Sequence, residues 1–118
     1  MHKLLSFVRP GTVYTPWGAS DYIDHLGETG AIVASTPSHG GAWIPRAMYD
    51  RLPVDLRRTP YSDGGWFEED HDIAIPFAFF GEEFGTDPES IAFARKIVMA
   101  AAKWAEHVPA ATRTAWGI

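Results

Sequence analysis

Four carboxylates and an imidazole, in Gly64-Gly65-Trp66-Phe67-Glu68-Glu69-Asp70-His71-Asp72, run directly into Ile73-Ala74-Ile75-Pro76-Phe77-Ala78-Phe79-Phe80. The second half is almost wholly apolar and has to be buried, which pins the first half to the rim of whatever core forms. That junction is the first place to look for chemistry or recognition. Ile73, Phe77, Phe80 and Phe84 recur at spacings of four, three and four, one side of a helix. On such a helix Glu68, Glu69, Asp70 and Asp72 occupy the first turns, where the dipole favours exposed negative charge by about 0.3–1 kcal/mol each. Pro76 deletes one backbone bond and crowds the turn before it. The segment therefore reads as a kinked or broken helix, with a buried strand as the alternative.

What precedes it reads as β-structure. Gly11 to Thr15 is a short β-prone run, and Pro16-Trp17-Gly18 is a turn with an aromatic in it. Ala19 to Leu26 and Ala31 to Ser35 are strands around the glycine-bounded loop Gly27-Glu28-Thr29-Gly30. Gly41 to Ile44 follows the turn at Thr36 to Gly40, which completes an antiparallel meander of three or four strands. Pro45 suits the first position of a short helix over Arg46 to Leu52, stopped by Pro53. Val54 to Gly65 is a connector with room for one helical turn, and is expected to be the most mobile loop.

The last long element has the clearest signature. Asp87 is an N-cap, Pro88 takes the first position and Glu89 the first turn. Ile91, Ala94, Val98, Ala101, Ala105 and Val108 form one apolar row, and Phe93, Ile97, Ala100 and Trp104 a second. Two rows are too wide for one partner, so the helix, about 88–107, is expected to pack on the sheet and on the preceding segment together. Pro109 ends it, leaving a tail with Trp116 placed to fold back. The expectation is an α+β fold in which the sheet packs against two to three helices, as one domain over residues 1–118.

The charge is modest in total and uneven in place. The net value is −5, yet Thr59 to Ala94 holds nine acids and no lysine or arginine, after a stretch carrying Arg46, Arg51, Arg57 and Arg58. Such a field repels phosphate backbones, so nucleic acid is not expected at the acidic face, whereas a basic protein surface or a divalent cation is attracted. The plainer alternative is a solvated face that keeps the chain soluble. The chain contains no cysteine, which excludes disulfides and thiolate chemistry. The first residues have too short an apolar run for a signal peptide, and no stretch approaches the roughly 20 residues of a membrane-spanning helix. Both point to the cytoplasm.

Two uses of the acidic junction compete. Glu68 and His71 are three apart and Asp72 lies four beyond Glu68, which on one helical face would offer up to three ligands. An oxygen-rich set with one nitrogen suits magnesium or manganese, and His39 in Ser35-Thr36-Pro37-Ser38-His39-Gly40-Gly41 would complete a hydrolytic or nuclease site. Against this, one Glu-x-x-His without a second copy is a weak signal, and acids gather at helix starts for dipole reasons alone. The other use is docking: Glu68, Glu69, Asp70, Asp72, Glu82, Glu83 and Trp66 would present charge and an aromatic to a basic partner, with no cofactor.

Three motifs carry a resemblance: Tyr14-Thr-Pro-Trp-Gly-Ala-Ser20, Ser35-Thr-Pro-Ser-His-Gly-Gly41 and Gly65-Trp-Phe-Glu-Glu-Asp-His-Asp-Ile-Ala74. In this order they resemble an uncharacterised family of small proteins and domains carried by bacterial plasmids, integrative elements and phages. The resemblance covers about Val13 to Phe80 and leaves out the long helix. Two positions depart from it: His71 is often cysteine there, and Pro76 is usually aliphatic. The resemblance brings no activity, but carriage on mobile elements implies an accessory role in a bacterial host. The expected function is therefore a small inhibitor that occupies the basic surface of a host defence nucleoprotein complex, anti-CRISPR-like or anti-restriction. The alternative is a metal-dependent hydrolase or nuclease.

Overall fold

A computed structural model describes residues 12–58 and 64–118. Gly11 of the first expected strand, and residues 59–63 of the connector, lie outside the described residues. A hairpin of β1 (Tyr14–Thr15) and β2 (Gly18–Ala19) leads into β3 (Tyr22–His25), β4 (Ile32–Ser35) and β5 (Gly40–Trp43). A later strand, β6 (Trp66–Glu68), completes an antiparallel sheet in the order β3-β4-β5-β6. The helices are α1 (Arg46–Tyr49), α2 (Ala74–Phe84), α3 (Pro88–Ala100), α4 (Ala102–Ala105) and α5 (Ala110–Trp116). The fold is α+β, with the sheet drawn mostly from the N-terminal half and the helices packed against it.

Strand register sorts the side chains onto two faces. Asp24, Val33, Ala42 and Phe67 pair across the sheet and share one face; Ile23, Ala34, Gly41 and Glu68 share the other. The inner face carries the fully buried Phe67 into a cluster with Leu26, Ala31 and Ile44 from the sheet region. The helices contribute Ile75, Ala78, Phe80, Phe84, Val98 and Trp104 to that same core. The outer face holds the half-buried Trp43 and Trp66, and Trp17 of the β1–β2 hairpin folds over it. Gly41 permits that approach. A Cβ there would lie 2.3 Å from the Phe67 carbonyl oxygen and 2.6 Å from Trp17 Cη2.

The segment from Gly64 to Phe80 corrects the sequence reading. It is neither a kinked helix from Glu68 onward nor a buried strand throughout. Trp66–Glu68 is a strand, residues 69–73 turn, and α2 begins only at Ala74. Pro76 is then the third helical residue, where its missing N–H is one of four that have no intrahelical partner anyway. The conflict between Pro76 and a helix disappears once the helix starts late.

The long C-terminal helix is also shorter than expected. Asp87 caps it as the sequence indicates, accepting from the Ser90 N–H at 2.9 Å. It stops at Ala100 rather than near residue 107, because Ala101 adopts extended backbone (φ −89, ψ 105) before α4. Alanine is the best helix former, so local preference does not break it. The break accompanies the burial of Trp104 and Val108 in the core, and tertiary packing overrides propensity. The tail is α5, which brings Trp116 edge-to-face onto Phe79 at 5.0 Å and under the Arg95 guanidinium at 5.1 Å.

Helices α2 and α3 form an antiparallel hairpin in close contact. A Cβ on Gly81 would come within 2.5 Å of Ile91 Cγ1, so the glycine sets the spacing of the two helices. Arg95 ties them further, donating through Nε to the Ala78 carbonyl at 3.0 Å. No helix among the described residues is long and apolar enough to cross a membrane.

Candidate functional site

The site grows from the pairing of β5 with β6. Gly41 pairs with Glu68, so the Glu68 side chain emerges on the outer face beside the Trp17 ring that covers Gly41. Glu68 is only 9% exposed. The turn between β4 and β5 supplies its partner. Thr36 fixes that turn, its Oγ1 donating to the His39 carbonyl at 2.9 Å and accepting from the His39 N–H at 3.1 Å. His39 Nδ1 then stands 3.5 Å from Glu68 Oε2, an ion pair whenever the imidazole is protonated. The other carboxylate oxygen, Oε1, accepts from the Asp70 N–H at 3.3 Å. Trp17 borders the pair, with ring centroids 6.5 Å from His39 and 5.8 Å, edge-to-face, from Trp66.

A nearly buried carboxylate within 3.5 Å of one nitrogen of a half-exposed imidazole is an arrangement that can orient a general base. His39 and Glu68 are 29 residues apart, and the fold brings them together. It does not bring the other two expected ligands to them. His71 stacks on Trp104 with centroids 4.5 Å apart, and Asp72 is 3% exposed in the turn before α2, where its carbonyl accepts from the Ile75 N–H. The single helical face expected to carry Glu68, His71 and Asp72 does not form, because Glu68 ends a strand. No group of three or more His, Asp or Glu among the described residues is placed to hold a metal ion.

The docking residues also separate. Glu69 and Asp70 are exposed on the turn after β6 and make no ion pair among the described residues. Glu82 and Glu83 do not stand free. Arg95 Nη2 reaches Glu82 at 3.0 and 3.1 Å, and Arg51 meets Glu83 in a two-pronged contact at 2.7 and 2.9 Å. That contact holds the Glu83 carboxyl below its usual range, chiefly through the hydrogen bonds from Arg51. Trp66 is half-buried against Trp17.

A model of a domain of unknown function, DUF7007, matches residues 10–117. The chain belongs to this family. The DUF7007 match runs through α3, α4 and α5, so the family's common region extends well beyond Phe80. No curated protein and no solved structure matches the chain. Sequence reasoning reached His39 and Glu68 but missed Trp17 as their neighbour. The available signal was the Gly40-Gly41 pair, which on a strand marks a close approach by another group.

Proposed function

We propose that this DUF7007 domain acts by binding a basic protein surface through Glu69 and Asp70, with Trp66 and Trp17 on the adjoining outer face of the sheet. The observation that carries the reading is the exposure of those two carboxylates, unpaired among the described residues, in a stretch without lysine or arginine. Complementary charge speeds encounter with a basic partner and makes it salt-sensitive. The concrete form is an inhibitor of a host defence nucleoprotein complex in the bacterial cytoplasm, anti-CRISPR-like or anti-restriction. That form rests on the resemblance of the three motifs to a family carried by mobile elements.

The test is inhibition of purified CRISPR effector and restriction complexes by the intact chain and by the double variant E69K/D70K. The variant should fold normally and lose inhibition by about tenfold or more, since charge reversal sets like charges against each other. Full inhibition by the folded variant sinks the docking surface. A second reading is acid–base chemistry at His39, favoured by its 3.5 Å approach to the nearly buried Glu68. Turnover of an ester or phosphodiester that vanishes in H39A, with inhibition absent from the wild type, would move the function there.

A further inference from the structure

Four arginines lie within residues 46–58, just before the acidic stretch, and three of them are engaged by other groups. Arg51 holds Glu83. Arg57 donates to the carbonyls of Leu52 at 3.0 Å and Asp50 at 2.7 Å, with its guanidinium 5.9 Å from the centre of the Tyr49 ring. Arg46 Nε meets both oxygens of Asp50 at 3.0 and 3.1 Å. Arg58 is exposed and makes no ion pair with another described residue.

Arg58 lines a cleft of about 340 Å³ with Arg46, Trp43, Tyr49 and the backbone of Gly64 and Gly65. The cleft lies where β5 gives way to α1 and where the chain returns into β6. Its size falls at the lower end of the roughly 300–1,000 Å³ typical of small-ligand sites. Its aromatic members stand on regular structure: Trp43 ends β5 and Tyr49 ends α1. The Tyr49 hydroxyl donates to the Arg57 carbonyl at 3.1 Å, which fixes the phenol ring before any ligand arrives.

We propose that this cleft binds a phosphate carried on a planar aromatic ring, the chemistry of a nucleotide. A guanidinium presents a flat fork of donors that fits phosphate oxygens, and aromatic side chains provide a surface on which any base stacks. Asp50 offsets the charge of Arg46, so Arg58 supplies the net attraction and Arg46 at most further donors. The site is separate from Glu69 and Asp70 and does not rest on the docking reading. The same chemistry has two sources, a free mononucleotide or the phosphorylated end of a strand.

The experiment is calorimetric titration of the full 118-residue chain with adenosine monophosphate, adenosine, inorganic phosphate, and a short oligonucleotide with and without a 5′-phosphate. Saturable binding of the monophosphate is expected, with adenosine and phosphate each weaker. R58A should weaken it about tenfold, the loss of one charge-assisted contact, and R58E should abolish it. R58K should fall between, because an ammonium keeps the charge and loses the fork. Competition by the phosphorylated oligonucleotide alone among the two strands assigns a strand end, its failure to compete assigns the free nucleotide, and both uphold the site. Absence of saturable binding by monophosphate and oligonucleotide overturns it. So does unchanged affinity in folded R58A and R58E, or adenosine binding as tightly as its monophosphate.

Discussion

Just before the N-terminal end of α2 two carboxylates, Glu69 and Asp70, stand in solvent and make no ion pair among the described residues. At its C-terminal end Glu82 and Glu83 each meet an arginine brought from another element. The ends lie about 16 Å apart for eleven residues at 1.5 Å each. Glu82 and Glu83 stand in the last turn of α2, where the helix dipole disfavours negative charge and the two arginines offset it. Glu69 and Asp70, by contrast, lie on the turn before the helix, outside its first turn. A run of acids in sequence is therefore not a field of the same extent in space. Arginines distant in the chain cancel one end and leave the other.

The largest test of the comparison separates Glu68 from its exposed neighbours. Reversing Glu68, Glu69 and Asp70 together mixes a buried site with two surface ones. E68K puts an ammonium where a nearly buried carboxylate meets His39 and the Asp70 N–H, and should cost about 3–5 kcal/mol in urea unfolding. E69K/D70K should cost no more than about 0.5 kcal/mol per site, as surface substitutions do. Equal losses in the two variants would mean that Glu68 is no more embedded than its neighbours.

How far the sequence could be read depended on how local the cause was. The capped start of α3, the strand at Ile32–Ser35 and the short helix after Pro45 follow from turn chemistry and spacing within a few residues. The strand at Trp66–Glu68 was hidden because its partner β5 lies more than twenty residues earlier, and a three-residue run carries no period of its own. The end of α3 at Ala100 was hidden because alanine signals nothing but helix, while the break accompanies the burial of Trp104 in the core. Of the site, His39 and Glu68 were legible as residue types with matching chemistry. Their approach was not, since it comes from strand register. The pairing of Arg51 with Glu83 spans 32 residues and leaves no local trace.

A second test probes how the C-terminal end of α2 is held. Gly81 sits one residue before Glu82, and its missing side chain lets Ile91 seat against the helix. G81A forces the two helices apart or Ile91 out of position, and should destabilise by about 1–3 kcal/mol in chemical denaturation. It should also loosen the Arg95–Glu82 contact, which spans the same pair of helices. An unchanged midpoint would show that the helices pack less closely than the spacing requires.

The smallest effect is the most specific, because it has a sign in pH. The carboxyl of Glu83 lies below its ordinary value of 4.5, with hydrogen bonds from Arg51 the leading cause. A depressed acid contributes stability above its unfolded value, and that contribution fades as pH falls through the folded one. Wild type should therefore exceed E83Q by about 0.2–1 kcal/mol at neutral pH, the range for exposed pairs, and the gap should close in acid. The glutamine keeps Arg51 free to lie over the Phe80 ring, 4.9 Å from its centre, so the comparison isolates the charge. The matching substitution on the turn before the helix, D70N, removes a carboxylate with no ion pair among the described residues and should lower stability at neutral pH by less than E83Q does. A loss in D70N at neutral pH as large as in E83Q would erase the distinction between the two ends.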